Sequence, residues 1–124
     1  MTKEDKELLL KDLCARLPYG VKINNEIQGD FTVYGICENF IYGRTEVCHA
    51  DFPVEKIKPY LFPLSSMTKE QKKEYAHILV LSSNLAYSQL LEITIEDWLN
   101  KHHFDYRGLI PKGIAKDATN LNIY

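Results

Sequence analysis

The sequence predicts an α+β fold: an N-terminal helix, a small curled antiparallel sheet with barrel-like closure as one form open to it, and C-terminal helices. Three observations carry this. Residues 2–17 place apolar side chains at helical spacing behind a Thr cap. Residues 21–52 switch to period-two alternation punctuated by glycine. Thr68 and Thr94 each open a further capped amphipathic stretch. A chain of 124 residues fits a single domain, 1–124, large enough to bury a core without a disulfide or metal staple.

The first helix starts at Thr2, with Glu4 and Asp5 in its first turn, where the helix dipole favours acids. Leu9, Leu10, Leu13, Cys14 and Leu17 share one face, while Lys3, Asp5, Lys11 and Asp12 lie mostly off it. Cys14 therefore reads as a small core hydrophobe. Pro18 and Gly20 end the helix.

In the next stretch Val21, Ile23 and Ile27 alternate with Lys22, Asn24, Glu26 and Gln28, and Gly29-Asp30 signals a turn. Phe31 to Cys37 is β-rich, and Glu38-Asn39 punctuates it. Phe40 to Tyr42 and Thr45 to His49 are further strand candidates, with Gly43 as a bulge or turn between them. Residues 51–63 carry three prolines, which argue against a central strand or long helix. They predict an edge strand or short helical turn and then an extended crossing, anchored by Val54, Ile57, Tyr60 and Leu61.

Thr68 with Gln71 forms a capping box. The helix it opens presents Tyr75, Ile78 and Leu79 on one face, and the apolar run from Ile78 to Leu81 reads as core. Ser82-Ser83-Asn84 breaks it. Residues 85–93 fit helix and strand equally. Thr94 caps a helix through Lys101 or His102, and Asp105 caps a short turn over residues 106–110 that Pro111 and Gly113 stop. The last nine residues, KDATNLNIY, lack a pattern and are expected to be loose. Leu9, Leu13, Val33, Ile36, Ile57, Ile78, Leu79 and Trp98 are the expected core.

The strings MTKEDKELLLKDLCARLPYGVK, IKPYLFPLSSMT and DWLNKHHFDYRGLI resemble a family of small uncharacterised proteins of gut anaerobic bacteria, their phages and mobile elements. The resemblance spans the first helix, the proline crossing and the segment after Asp97. It implies a small intracellular protein, often of phage or mobile-element context. It implies no activity, cofactor or catalytic residue.

Composition narrows the function classes. The net charge of −2 argues against bulk nucleic-acid affinity, which rests on neutralising phosphates. No apolar stretch reaches membrane-spanning length, and the charged N-terminus lacks a secretory core. Three cysteines without close pairing read as reduced thiols in a cytoplasm.

The segment 94–113 holds the only Trp, two of four His and an Asp-x-Arg pair. Its candidate binding residues are His102, His103, Phe104, Tyr106 and Arg107, since interfaces favour aromatics and Arg. Against that stands a core role for Trp98, which shares a face with Ile95 and Leu99, and helix-end capping for the histidines. A metal-dependent enzyme at His102, His103 and Asp105, joined by Cys37, Cys48 and His49, is an alternative. It lacks ligand spacing: adjacent helical residues diverge, and the cysteines stand eleven apart. Asp97, Asp105, Arg107 and His103 are candidates for acid–base work without a nucleophile–base pattern, or form an Asp–Arg lock. The nucleic-acid alternative uses Lys56, Lys58, Tyr60 and Phe62, a basic rim beside stacking aromatics that Glu55, Glu70 and Glu74 offset. A nucleotide-ligand sponge is a further alternative. The expectation is a non-enzymatic binding or regulatory protein, with no cofactor or metal, acting through an unknown protein partner or as a homo-oligomer.

Overall fold

The computed structural model describes residues 1–84 and 94–124; the stretch 85–93, which fits helix and strand alike, lies outside the described residues. Helix α1 spans Lys3–Arg16, with a full capping box between Thr2 and Asp5. A 3₁₀ turn at Leu17–Tyr19 and left-handed Gly20 then reverse the chain. Strands β1 (Lys22–Asn25), β2 (Gly29–Cys37), β3 (Phe40–Arg44) and β4 (His49–Pro53) form the expected antiparallel meander. A 3₁₀ turn at Val54–Lys56 leads to β5 (Lys58–Pro63). Helix α2 (Lys69–Ser82) starts from the Thr68–Gln71 capping box, and α3 (Ile95–Lys101) from Thr94. Two-residue strands β6 (Phe104–Asp105) and β7 (Lys116–Asp117) complete the sheet.

The architecture is α+β. The strand order is β4-β3-β2-β1-β5-β6, with β7 also on β5, and the sheet is open rather than a barrel. β6 and β7 join β5 in parallel, each through two residue pairs. β5 is thus internal to the sheet despite Pro59 and Pro63. Neighbouring residues direct their backbone groups to opposite edges. Phe62 N–H donates to the His103 carbonyl at 2.8 Å, so the two proline nitrogens face the other edge. There β7 reaches only residues 60–61. Val54, Ile57, Tyr60 and Leu61 anchor this segment, all four buried.

Among the described residues two clusters make the core. The larger packs Leu9 and Leu13 of α1 on Val21, just before β1, and on Ile23, Phe31, Val33, Ile41 and Phe52 of the sheet, closed by Leu109 and Ile114. The smaller joins Ile78, Trp98, Leu99 and Phe104. Ile36 packs at the margin of the first.

Four expectations are corrected. Cys14 is exposed, because the buried face of α1 is Leu9, Asp12, Leu13 and Arg16. An internal charged pair takes the place the cysteine was expected to fill. Ile27 lies in the β1–β2 turn and Thr45–Cys48 in the β3–β4 turn, so neither extends a strand. Leu79 and Val80 are exposed, which leaves Ile78 as the buried residue of that apolar run. Finally, residues 116–124 are docked. Ala118 is buried and donates to the Leu61 carbonyl, and Tyr124 reaches between two strands. No helix among the described residues is long and apolar enough to cross a membrane.

Candidate binding face

The sheet has two unlike faces. Phe31, Val33, Ile41, Gly43 and Phe52 point to the core, and a Cβ on Gly43 would stand 2.7 Å from the Phe31 Cβ. The opposite side of β2, β3 and β4 carries Thr32, Tyr34, Tyr42, Arg44, His49 and Asp51, none of them buried. A register shift between Val33 and Gly35 inserts Tyr34 as an extra residue. Such a bulge re-aims the side chain it carries. The Tyr34 ring meets His49 edge-on at 5.5 Å and Tyr42 at 6.3 Å, and the Arg44 guanidinium lies 5.8 Å from its centroid. Gly35 leaves room beside Tyr42, since a Cβ there would make only ordinary contact at 3.7 Å. Next to this cluster lies a broad basin of about 700 Å³, whose walls include Lys22, Asp30, Thr32, Arg44, Glu46 and His49. Both signs of charge are present, so the basin favours mixed polar contact over a polyanion.

The residues around 102–107 occupy a different place. His102 ends α3 and packs on Trp98 at 4.6 Å, and burial lowers its pKa. His103 adopts left-handed φ of 62°, which turns the chain from α3 into β6. Its ring stacks on Tyr124 at 3.6 Å. Burial, with Arg16, His102 and Lys22 nearby, holds its pKa down at about 4. Phe104 stacks on Trp98 inside the smaller core cluster. Asp105 is buried and accepts the Leu109 and Ile110 N–H groups at 2.9 Å each, the expected turn cap. Tyr106 donates to Asn100 and lies under Arg107, 4.4 Å from guanidinium to centroid.

Arg107 does not lock to Asp105. It donates to Asp12 at 2.8 Å, and Arg16 donates to the other oxygen of Asp12 at 2.8 Å and to the Phe104 carbonyl at 2.6 Å. Asp12 and Arg16 are wholly buried. This triad joins α1 to the chain after α3, and it engages the charge that Arg107 was expected to offer a partner. Among the described residues no three His, Cys, Asp or Glu side chains converge as metal ligands.

Of the nucleic-acid candidates, Lys56 is exposed and Lys58 half-buried. Tyr60 is buried with its hydroxyl donated to Asp30 at 2.7 Å, and burial and that carboxylate push its pKa to about 12. Phe62 is half-buried against Phe104 and Tyr124. The four do not form an exposed stacking platform. The Tyr34–Tyr42–Arg44–His49 cluster was missed by the sequence reading. The alternation of outward Thr32, Tyr34, Tyr42 and Arg44 was available as a signal, but an aromatic on a strand reads equally well as core.

Comparison with known protein families, curated proteins and solved structures finds no match to this chain.

Proposed function

We propose that this chain is a non-enzymatic binding protein that engages a protein partner through the outer face of β2, β3 and β4. The observation that carries the reading is the Tyr34–Tyr42–Arg44–His49 cluster. It combines the residue types that dominate interface energetics with a rigid sheet backbone and side chains left outside the core. Arg44 makes a cation–π contact and no salt bridge among the described residues, so its donors are open to a partner. The net charge and the internal position of Tyr60 weigh against the nucleic-acid alternative. The resemblance to proteins of phages and mobile elements adds, by association alone, a host or defence protein as the partner.

The test is the double substitution Tyr34→Ala with Arg44→Ala. Both side chains stand on the exposed face, so the circular-dichroism spectrum should stay native and partner capture should be lost. A folded double variant that keeps its partner at native affinity removes this face from the reading. Affinity for single-stranded DNA or RNA that falls steeply with salt and on Lys56→Ala with Lys58→Ala would favour the nucleic-acid alternative instead.

A further inference from the structure

The β1–β2 and β3–β4 turns share one pinning device, although three residues separate the paired Asn25 and Gly29 and four separate the paired Arg44 and His49. In the first, the Asn25 side-chain oxygen accepts N–H groups from Ile27 and Gln28 at 3.0 and 2.9 Å. In the second, the Thr45 hydroxyl oxygen accepts from Val47 and Cys48 at 3.2 and 3.1 Å. Each polar residue thus pins the two amides that follow at the second and third positions, which restrains the turn. The residues between match as well: Glu26-Ile27 in one, Glu46-Val47 in the other. Ile27 and Val47 are each 93% exposed.

Topology puts both turns at the same end of the sheet. β1 and β3 run in one direction, and each leads into its turn there. The hairpin centres are two strand spacings apart, about 10 Å. The register pairs Asn25 with Gly29 and Thr32 with Arg44, so the first turn projects about 7 Å further, two residues along the strand. The turn at the opposite end, Glu38-Asn39, carries no aliphatic residue. A single exposed aliphatic is ordinary. Two β-branched aliphatics, each two residues after the pinning side chain and each preceded by a glutamate, form a pattern. Rigid turns and stiff side chains also have little freedom to lose on docking.

We infer that the Ile27 and Val47 tips are a pair of preorganised anchors for a protein surface that presents two apolar sockets with Lys or Arg beside each, to meet Glu26 and Glu46. This rests on the protein-partner reading above and adds the chemistry of the partner. The two glutamates disfavour an anionic membrane, which would face them with like charge.

The test places a photo-cross-linking residue at position 27, at position 47 and, as a control at the far end of β2, at position 37 in the full chain, and irradiates it in extract of the source cells. The cross-linked protein is then purified and titrated against the native chain, Ile27→Ser with Val47→Ser, and Glu26→Lys with Glu46→Lys. The same protein should cross-link from both tips and not from position 37. Both double variants should lose affinity by at least about tenfold. No cross-link from either tip, different proteins from the two tips, or native affinity in the serine variant each overturns the inference. So does binding to phosphatidylcholine–phosphatidylserine vesicles that the serine variant loses. Loss of the partner by Tyr34→Ala with Arg44→Ala alone would leave the sheet face standing and the tips without a role. Loss by the tip variants alone would do the reverse.

Discussion

Replacing Asp12 with Ala should be among the most damaging single substitutions in this chain. Asp12 divides its two oxygens between Arg16 and Arg107, each at 2.8 Å. Its removal leaves the Arg16 guanidinium at zero exposure with only the Phe104 carbonyl as hydrogen-bond acceptor. Breaking a buried pair from one side costs about 3–5 kcal/mol, because the charge left behind stays desolvated. A domain of this size holds about 5–15 kcal/mol in all, so the variant should stand near the edge of folding. Its thermal midpoint should fall by roughly 10–20 °C. Arg107→Ala is the control. Its side chain is 13% exposed, and Arg16 remains to neutralise Asp12, so the loss should be only about 1.5–3 kcal/mol. In the combined variant the Arg107 substitution should add almost nothing, since its partner is already gone. Urea denaturation of the three variants reads all of these. An Asp12→Ala loss below about 1 kcal/mol, or an Arg107→Ala loss larger than that of Asp12→Ala, would refute the view that Arg16 depends on Asp12.

Two further outcomes follow from the same geometry. His103 has a folded pKa near 4 against an ordinary 6.5, so the unfolded chain binds the extra proton between those values. Stability from this group is full above about pH 6.5 and declines as the pH falls toward 4, by at most about 3 kcal/mol. His103→Asn tolerates the left-handed backbone, and urea midpoints from pH 7 to 4.5 should lose this component of their slope in that variant. Gly43→Ala should cost about 1–3 kcal/mol because its Cβ meets Phe31 at 2.7 Å, whereas Gly35→Ala, with its nearest atom at 3.7 Å, should leave the thermal midpoint within about 2 °C.

The sequence was legible where local chemistry decides structure. Thr2, Thr68 and Thr94 cap their helices as their spacing predicts, and Asp105 caps its turn, because each acts on amides only a few residues away. It was misleading where a distant partner decides. Asp12 reads as surface on a helical wheel, and its burial beside Arg16 is completed by Arg107, 95 residues away, which takes its second oxygen. Pro59 and Pro63 read as excluding an internal strand, yet which edge their nitrogens face depends on the placement of β6 and β7. The residues from 116 onward read as loose because their order comes from docking on β5 rather than from a repeat of their own. The proposed face was hidden for a related reason. A tyrosine on a strand looks the same from the sequence whether it faces the core or water, and a bulge decides for Tyr34.

The hydroxyl of Tyr124 has a consequence for the order in which this chain can assemble. Ile23 opposes Pro59 and Asn24 opposes Lys58, so Lys22 and Tyr60 are the next pair along the two strands. Between them the Tyr124 hydroxyl accepts from Lys22 N–H and donates to the Tyr60 carbonyl, both at 2.8 Å. One rung between β1 and β5 is therefore a side chain 102 residues downstream of the first of these. The hairpins need only local closure and can form while synthesis continues, but this one rung needs residue 124. Closing so long a loop carries a large entropic cost before any contact rewards it, which makes this rung, and not the direct pairs Ile23–Pro59 and Asn24–Lys58, the late part of the β1–β5 seam.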